Sequence, residues 1–233
     1  MRIAALYDIH GNQPALEAVL RDIAQHEVDR IVVGGDVLPG PMPRESLERL
    51  AHAPAPVTYI RGNGEAAVLA QLSGASIATL PERAQEAVRW SCDELDRAQR
   101  QHLQTWAQSE TFEIPGLGSV LFCHATPRSD TEIFMQLTPE EQVVLMFAGV
   151  TADLVACGHT HAQFERRVGA IRVINAGSVG MPFEAPGAYW LLIGSQVELR
   201  RTTYDLEDAA RRVRATRYPQ AAAFAEHYIL RRP

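Results

Sequence analysis

Five short polar runs interrupt an otherwise apolar-patterned chain: Asp8-Ile9-His10-Gly11-Asn12, Gly34-Gly35-Asp36, Gly62-Asn63-Gly64-Glu65, His124 and Gly158-His159-Thr160-His161. As ligands, Asp8, Asp36, Asn63, His10, His124, His159 and His161 pool two carboxylates, one amide and four imidazoles with no thiolate. That donor set suits Mn²⁺, Fe²⁺, Zn²⁺ or Mg²⁺ better than a soft-metal centre. Asp8 and His10 are two residues apart, as are His159 and His161. On extended backbone each pair leaves the chain on one side and can grip one ion. Seven ligands exceed what one tetrahedral ion takes. Shared between two ions, with one carboxylate common to both, they fill both coordination shells and leave room for solvent between the cations.

The elements around these runs explain how they could meet. Residues 2–7 read as a short buried strand, and 14–26, with Ala15, Leu16, Val19, Leu20 and Ile23 on one face, as the helix that follows. Residues 30–33 repeat the strand pattern, 43–52 look helical, and 57–60 form a third strand. Strands alternating with helices imply a largely parallel sheet. A continuous helical period runs over 81–108. The second half changes character: 112–114 and 119–123 flank Pro115-Gly116-Leu117-Gly118 as a hairpin, and 154–157 is another buried strand. Runs at 164–168, 171–175, 188–193 and 196–204 suggest an antiparallel meander, and the chain from Leu206 reads as a surface helix pair broken at Pro219. The expected fold is α/β, two packed mixed β-sheets flanked by helices in four α-β-β-α layers, as one domain over 1–233. Every polar run follows a strand, and in open α/β sheets ligands bind beyond the carboxyl ends of strands.

Composition narrows the function classes. With 233 residues, 46% hydrophobic and 21% charged, the chain has the makeup of a globular domain able to bury a core. A net charge of -6 argues against a long nucleic acid as partner, since such affinity rests on Lys and Arg neutralising phosphates. Cys92, Cys123 and Cys157 are odd in number and unpaired in spacing, which fits a reducing compartment. Asp8 and His10 cut the N-terminal apolar run short of a signal core or membrane span. The expected setting is cytoplasmic, with no membrane partner.

The ordered set Asp8-x-His10, Gly35-Asp36, Gly62-Asn63, His124 and Gly158-His159-Thr160-His161 resembles the calcineurin-like metallophosphoesterase superfamily across nearly the whole chain. The chain length and the run Asn175-Ala176-Gly177-Ser178-Val179-Gly180 resemble its small prokaryotic phosphodiesterases and phosphatases. Each motif alone is weak; five in order are specific. The resemblance implies that Asp8, His10 and His161 hold a first divalent metal, that Asn63, His124 and His159 hold a second, and that Asp36 bridges them. The cations would be manganese in first place, with iron, zinc, magnesium or nickel as alternatives. A hydroxide between them would attack phosphorus in a mono- or diester of a small, nucleotide-like substrate. The resemblance also makes Asn12 catalytic and substrate-binding, its amide donating to a phosphate oxygen. Many members carry His after the motif asparagine; here Gly64 stands there, so a protonating imidazole is missing and a good leaving group is expected to matter more.

Other residues keep two readings. Arg61 and Arg128 flank ligand loops and suit either phosphate binding or a structural ion pair. Glu65 is placed to orient an imidazole. Asn175 and Ser178 shape a turn or touch phosphate; Cys123 and Cys157 read as small core hydrophobes. His26, His52, His102 and His227 lie in polar helices and take no role, and the pairs Arg166-Arg167, Arg200-Arg201, Arg211-Arg212 and Arg231-Arg232 read as solvated faces. A protein phosphatase and a dinucleoside polyphosphate hydrolase are the enzyme alternatives, and a binding scaffold with lost activity is the non-enzyme one.

Overall fold

The computed structural model describes residues 1–231. In β1 (Ile3–Leu6), Ile3 and Ala5 face one way and Ala4 and Leu6 the other, and all four are fully buried. A strand apolar on both faces must be covered on both, and the chain does so with a second sheet on one side and helices on the other. β1 pairs in parallel with β2 (Arg30–Val33), which pairs in parallel with β3 (Val57–Tyr59). On its other edge β1 takes β9 (Ala188–Ile193) antiparallel, and β9 forms a hairpin with β10 (Val197–Thr202), giving the order β10-β9-β1-β2-β3. The second sheet runs β4-β5-β6-β8-β7 from β4 (Ser109–Ile114), β5 (Gly118–Cys123), β6 (Leu154–Cys157), β7 (Gln163–Val168) and β8 (Ile171–Ala176).

Between the sheets lie Ile3, Ala5, Tyr7, Val32 and Leu191 from one and Val120, Phe122, Leu154 and Ile174 from the other. The outer face of the first sheet is packed by α1 (Gln13–Ile23), α2 (Pro43–Ala51), α3 (Asn63–Leu72) and α4 (Glu82–Glu94) through Leu16, Val19, Leu47, Val68 and Val88. The outer face of the second is packed by α6 (Glu140–Met146) and its flanks through Val143, Phe134 and Phe147. These are the four expected layers, with five strands in each mixed sheet.

Four local expectations are corrected. The continuous helix over 81–108 is two, α4 and α5 (Arg97–Leu103), because Asp96 starts a new one: its carboxylate accepts from Gln99 N at 2.8 Å while the Gln99 side chain accepts from Asp96 N at 3.1 Å. The meander is two hairpins in different sheets, β7–β8 and β9–β10, since β8 pairs in parallel with β6 whereas β9 pairs antiparallel with β1. The terminal helices α7 (Leu206–Arg214) and α8 (Ala221–Phe224), the latter running on as a π-helical segment (Ala225–Leu230), are more than a surface pair. They bury Ala209, Ala210, Val213, Phe224 and Ile229 in a cluster with Ala87 of α4. Nor are the basic pairs uniformly solvated. Arg166 donates to the carbonyls of Met135 and Thr138, Arg212 to Glu17, and Arg231 to the carbonyls of Pro182 and Phe183. Arg232 lies outside the described residues. All three cysteines are buried and free, as core hydrophobes. Among the described residues no helix is long and apolar enough to cross a membrane.

Candidate metal centre

The polar runs follow β1, β2, β3, β5 and β6, strands that share one direction within each sheet, so their carboxyl ends open on one side. The loops are knitted before any side chain acts. Asp8 N donates to Gly35 O at 3.1 Å, His10 N to Asp36 O at 2.9 Å, and Gly158 N to His124 O at 2.8 Å. Gly158 is required by close approach: a Cβ there would stand 2.5 Å from Asp8 Oδ2 and 2.6 Å from the Tyr7 ring. Six described non-glycine residues have positive φ, and Asp8, His10, Asp36, His159 and His161 are five of them. Left-handed backbone is disfavoured for such residues and persists only where the surroundings enforce it. Here it turns each side chain away from its strand direction into the shared space.

The result is two groups of converging donors, Asp8 with His10 and His161, and Asp36 with His124 and His159, each with its ligand atoms within 4.8 Å of one another. Asp8 Oδ1 stands 3.4 Å from His161 Nε2 and 3.9 Å from His10 Nε2. The two oxygens of Asp36 divide between the groups, Oδ2 at 3.7 Å from His10 Nε2 and Oδ1 at 3.6 Å from His124 Nε2. Asn63 brings its Oδ1 to 3.0 Å from His124 Nε2. All seven predicted ligands thus meet in one place.

Three of the four imidazoles are oriented from behind. His10 Nδ1 faces Pro39 O at 3.3 Å, His124 Nδ1 faces Gly34 O at 2.9 Å, and His161 Nδ1 faces Met181 O at 2.9 Å. A carbonyl accepting from Nδ1–H leaves the Nε2 lone pair pointing inward, the usual posture of a ligating histidine. Burial, with His161 nearby, pushes His10 down to about 3, and burial, with His124 nearby, pushes His159 down to about 4, so both are neutral at pH 7. Burial works against charge on His124 and His161 too, but Asp36 and Asp8 outweigh it and raise both. Burial would likewise raise Asp8, yet the imidazoles of His161, His124 and His10 hold it well below the usual carboxylate range. Asp36 is raised to about 6 by burial, with His124 opposing and Asp8 adding.

Two features fit this donor set to cations. Asp8 Oδ1 is buried without a hydrogen-bond partner, and such an orphan needs an explanation. His10 Nε2 and His161 Nε2 face each other at 3.1 Å, two inward lone pairs that a shared cation would satisfy. Hard and borderline oxygen and nitrogen donors in two adjacent groups are what a pair of divalent ions requires.

Several other expectations change. Asn12 does not offer its amide to a phosphate: it is fully buried as the cap of α1, its Nδ2 donating to Gly180 O at 2.9 Å and Tyr204 OH at 3.3 Å and its Oδ1 accepting from Ala15 N. Among the described residues Glu65 makes no hydrogen bond or ion pair with an imidazole. It accepts instead from Asp36 N at 2.8 Å, Leu38 N at 2.9 Å and Gly62 N at 2.9 Å, tying three ligand-bearing loop amides to the start of α3. Arg128 is committed to Glu132 and to Leu145 O, whereas the Arg61 guanidinium forms no ion pair or hydrogen bond among the described residues. Both line a cavity of about 100 Å³ beside His124, together with Thr126 and Ser129. Asn175 donates to Gly158 O and Ser178 to Asp8 O, so both brace ligand loops. Within 125–131 the sequence pattern assigns a role to Arg128 alone, yet this polar, turn-rich run directly after a strand-end histidine forms the cavity wall.

Gly64 has a positive role. Its N–H donates to Asp36 Oδ1 at 2.7 Å, and a Cβ at this position would stand 2.0 Å from Leu38 O. The slot that a side chain would need is occupied by the β2 loop.

Comparison with known proteins agrees with this geometry. The chain is 26% identical, over 94% of its own length and 94% of the relative's, to the uncharacterized protein MJ0912 of Methanocaldococcus jannaschii. It superposes on a metallophosphoesterase from Sphaerobacter thermophilus with a TM-score of 0.74 at 26% identity, covering 97% of this chain and 99% of that one. It shares its fold with the hypothetical protein PH1004 from Pyrococcus horikoshii OT3, TM-score 0.78 at 20% identity, over 96% and 97% of the two chains. The description of the calcineurin-like phosphoesterase superfamily domain matches residues 1–195, and with five strand-end runs in the expected order the chain belongs to that superfamily.

Proposed function

We propose that this chain is a metal-dependent hydrolase of small phosphate mono- or diesters, nucleotide-like in its substrate, with two divalent cations. Asp8, His10 and His161 would hold the first, Asn63, His124 and His159 the second, and Asp36 would touch both. The observation that carries this reading is the division of the Asp36 oxygens between two donor groups. When bound, the cations supply an activated solvent nucleophile and neutralise charge on the phosphoryl oxygens; manganese is the first choice, with iron, zinc, magnesium or nickel as alternatives.

The chain's own residues supply placement. Arg61, whose guanidinium has no partner among the described residues, lies beside His124 and binds a phosphate oxygen; a guanidinium matches two such oxygens at once. Glu65 and the Gly64 N–H fix the Asp36 loop, so little reorganisation is left to the reaction. No imidazole follows Asn63 to protonate the leaving oxygen, and esters of good leaving groups are therefore favoured. A binding scaffold with lost activity would draw its support from Gly64, which stands where many members carry His, and that glycine answers to packing against Leu38. Three buried free thiols go with a reducing, cytoplasmic setting.

The test is hydrolysis of bis(4-nitrophenyl) phosphate by protein reconstituted with Mn²⁺. Activity is expected in the parent and a loss of at least ~10³-fold in Asp36→Ala, on the scale of removing a major electrostatic element of a site. No metal-stimulated turnover of any mono- or diester would sink the reading. Alkyl phosphates hydrolysed as fast as nitrophenyl ones would contradict the leaving-group argument.

A further inference from the structure

A second cavity, of about 290 Å³, opens beside the same centre, and His10 is part of its lining. It lies between α4 and the C-terminal helices, which fall beyond the residues 1–195 matched by the superfamily domain. Its volume is near the small end of ligand pockets, roughly 300–1,000 Å³, whereas the cavity at Arg61, about 100 Å³, holds little more than a phosphoryl group. Its chemistry also differs from that of the Arg61 side. Tyr218, Phe224 and Met181 supply ring and thioether surface, and Ala84 and Ala87 keep the α4 wall low. Rings and thioethers favour flat, polarizable partners.

Polar groups are few but available. Arg83 and His227 line the cavity, and neither the guanidinium nor the imidazole has a hydrogen bond or ion pair among the described residues. A plain aryl group would use neither; a heterocycle with donors and acceptors on its edge would use both. With Arg61 on one side of the donor cluster and this apolar cavity on the other, the surface divides into a phosphate end and a ring end.

We infer that the cavity between α4 and the C-terminal helices is a nucleobase subsite, so that the substrate is a nucleotide ester whose phosphorus sits at the donor cluster and whose base lies against Tyr218 and Phe224. This rests on the proposed hydrolase reading for the phosphate end but is testable without catalysis. Metal-free protein is titrated with adenosine, methyl riboside and benzyl alcohol while ring signals of Tyr218 and His227 are followed by NMR. Adenosine is expected to saturate and methyl riboside not to, and Ala84→Trp, which fills the cavity from α4, should weaken adenosine binding at least tenfold. Ala223→Trp fills it from the facing helix and serves if the first variant does not fold. No saturable adenosine binding, or equal binding to parent and both variants, overturns the subsite; benzyl alcohol binding as tightly as adenosine overturns the base and leaves only a ring pocket. A second arm compares kcat/KM for thymidine 5′-(4-nitrophenyl phosphate) and methyl 4-nitrophenyl phosphate, which share a leaving group. The nucleotide preference should exceed tenfold in the parent and collapse in Ala84→Trp. Hydrolysis of neither ester under any metal would count against the hydrolase reading, while the adenosine titration still decides the subsite.

Discussion

His10 and His159 are neutral at pH 7 because burial and neighbouring imidazoles push them down, whereas Asp36 and Asp8 favour a proton on His124 and His161 and raise both above the usual imidazole value. A cation must displace those protons, so binding and protonation are linked. Mn²⁺ affinity is therefore expected to fall as pH falls toward 6, with proton release on binding. Titration calorimetry in buffers of different ionisation enthalpy checks this; buffer-independent heats would contradict it. Gly64 gives a second test at this scale. If the missing imidazole were a simple loss, Gly64→His would restore it, but its Cβ meets Leu38 O at 2.0 Å. The expected outcome is a destabilisation of about 1–3 kcal/mol from overpacking, with no gain on alkyl esters. Thermal melts and a leaving-group series read it directly, and a variant as stable as the parent with faster alkyl-ester turnover would refute it.

Strands and helices convert those residues into a site, and Glu65 shows how. Sitting at the third position of α3, it accepts from the cap residue Gly62, half of a capping box, and also from Asp36 and Leu38 in the neighbouring loop. Glu65→Ala leaves three buried N–H groups without partners, at about 1–3 kcal/mol each. Metal affinity should drop by roughly 10–100-fold, as for other groups that hold ligands in place, and calorimetric Kd against Mn²⁺ measures it. An unchanged Kd would show that α3 does not position Asp36. Much of this scale was legible in the sequence. Strand ends at Asp8, Asp36, Asn63, His124 and His159 follow from apolar runs cut by polar residues, and the two-sheet layering follows from strands apolar on both faces. What stayed hidden depends on contacts across the chain. Asn12 looks like a phosphate ligand until Gly180 and Tyr204 claim its amide, and Glu65 looks like an imidazole partner until three backbone amides converge on it. α3 was masked because Gly62 and Gly64 read as a loop, although Gly62 caps the helix and Gly64 is its second residue. The β8-to-β9 crossover is invisible because a hairpin and a change of sheet carry the same turn signals.

For the whole molecule, the site is a stability liability that cations offset. Five left-handed non-glycine residues, an unpartnered Asp8 oxygen and the buried carboxylates of Asp8, Asp36 and Glu65 lie at one end of the paired sheets. Asp36 illustrates the balance. Burial raises its pKa from 3.8 to about 6, so the unfolded chain gives up this proton before the folded one does. In metal-free protein the ionised carboxylate then costs stability, increasingly as pH rises from about 4 to 6 and fully above that. Asp36→Asn keeps an oxygen for the Gly64 N–H and removes the charge. Without metal at pH 8 the variant should therefore melt at or above the parent's temperature, and most of the advantage should be gone near pH 4, where Asp36 is protonated in the folded state and close to half protonated in the unfolded chain. With Mn²⁺ the order should reverse, since a ligand at 100 times its Kd adds about 2.7 kcal/mol to the parent and little to a variant whose shared ligand is neutral. Thermal melts of both proteins at the two pH values, with chelator and with Mn²⁺, distinguish a metal-stabilised catalytic centre from a structural polar core: in a structural core, Asp36→Asn would lower the melting temperature under every condition.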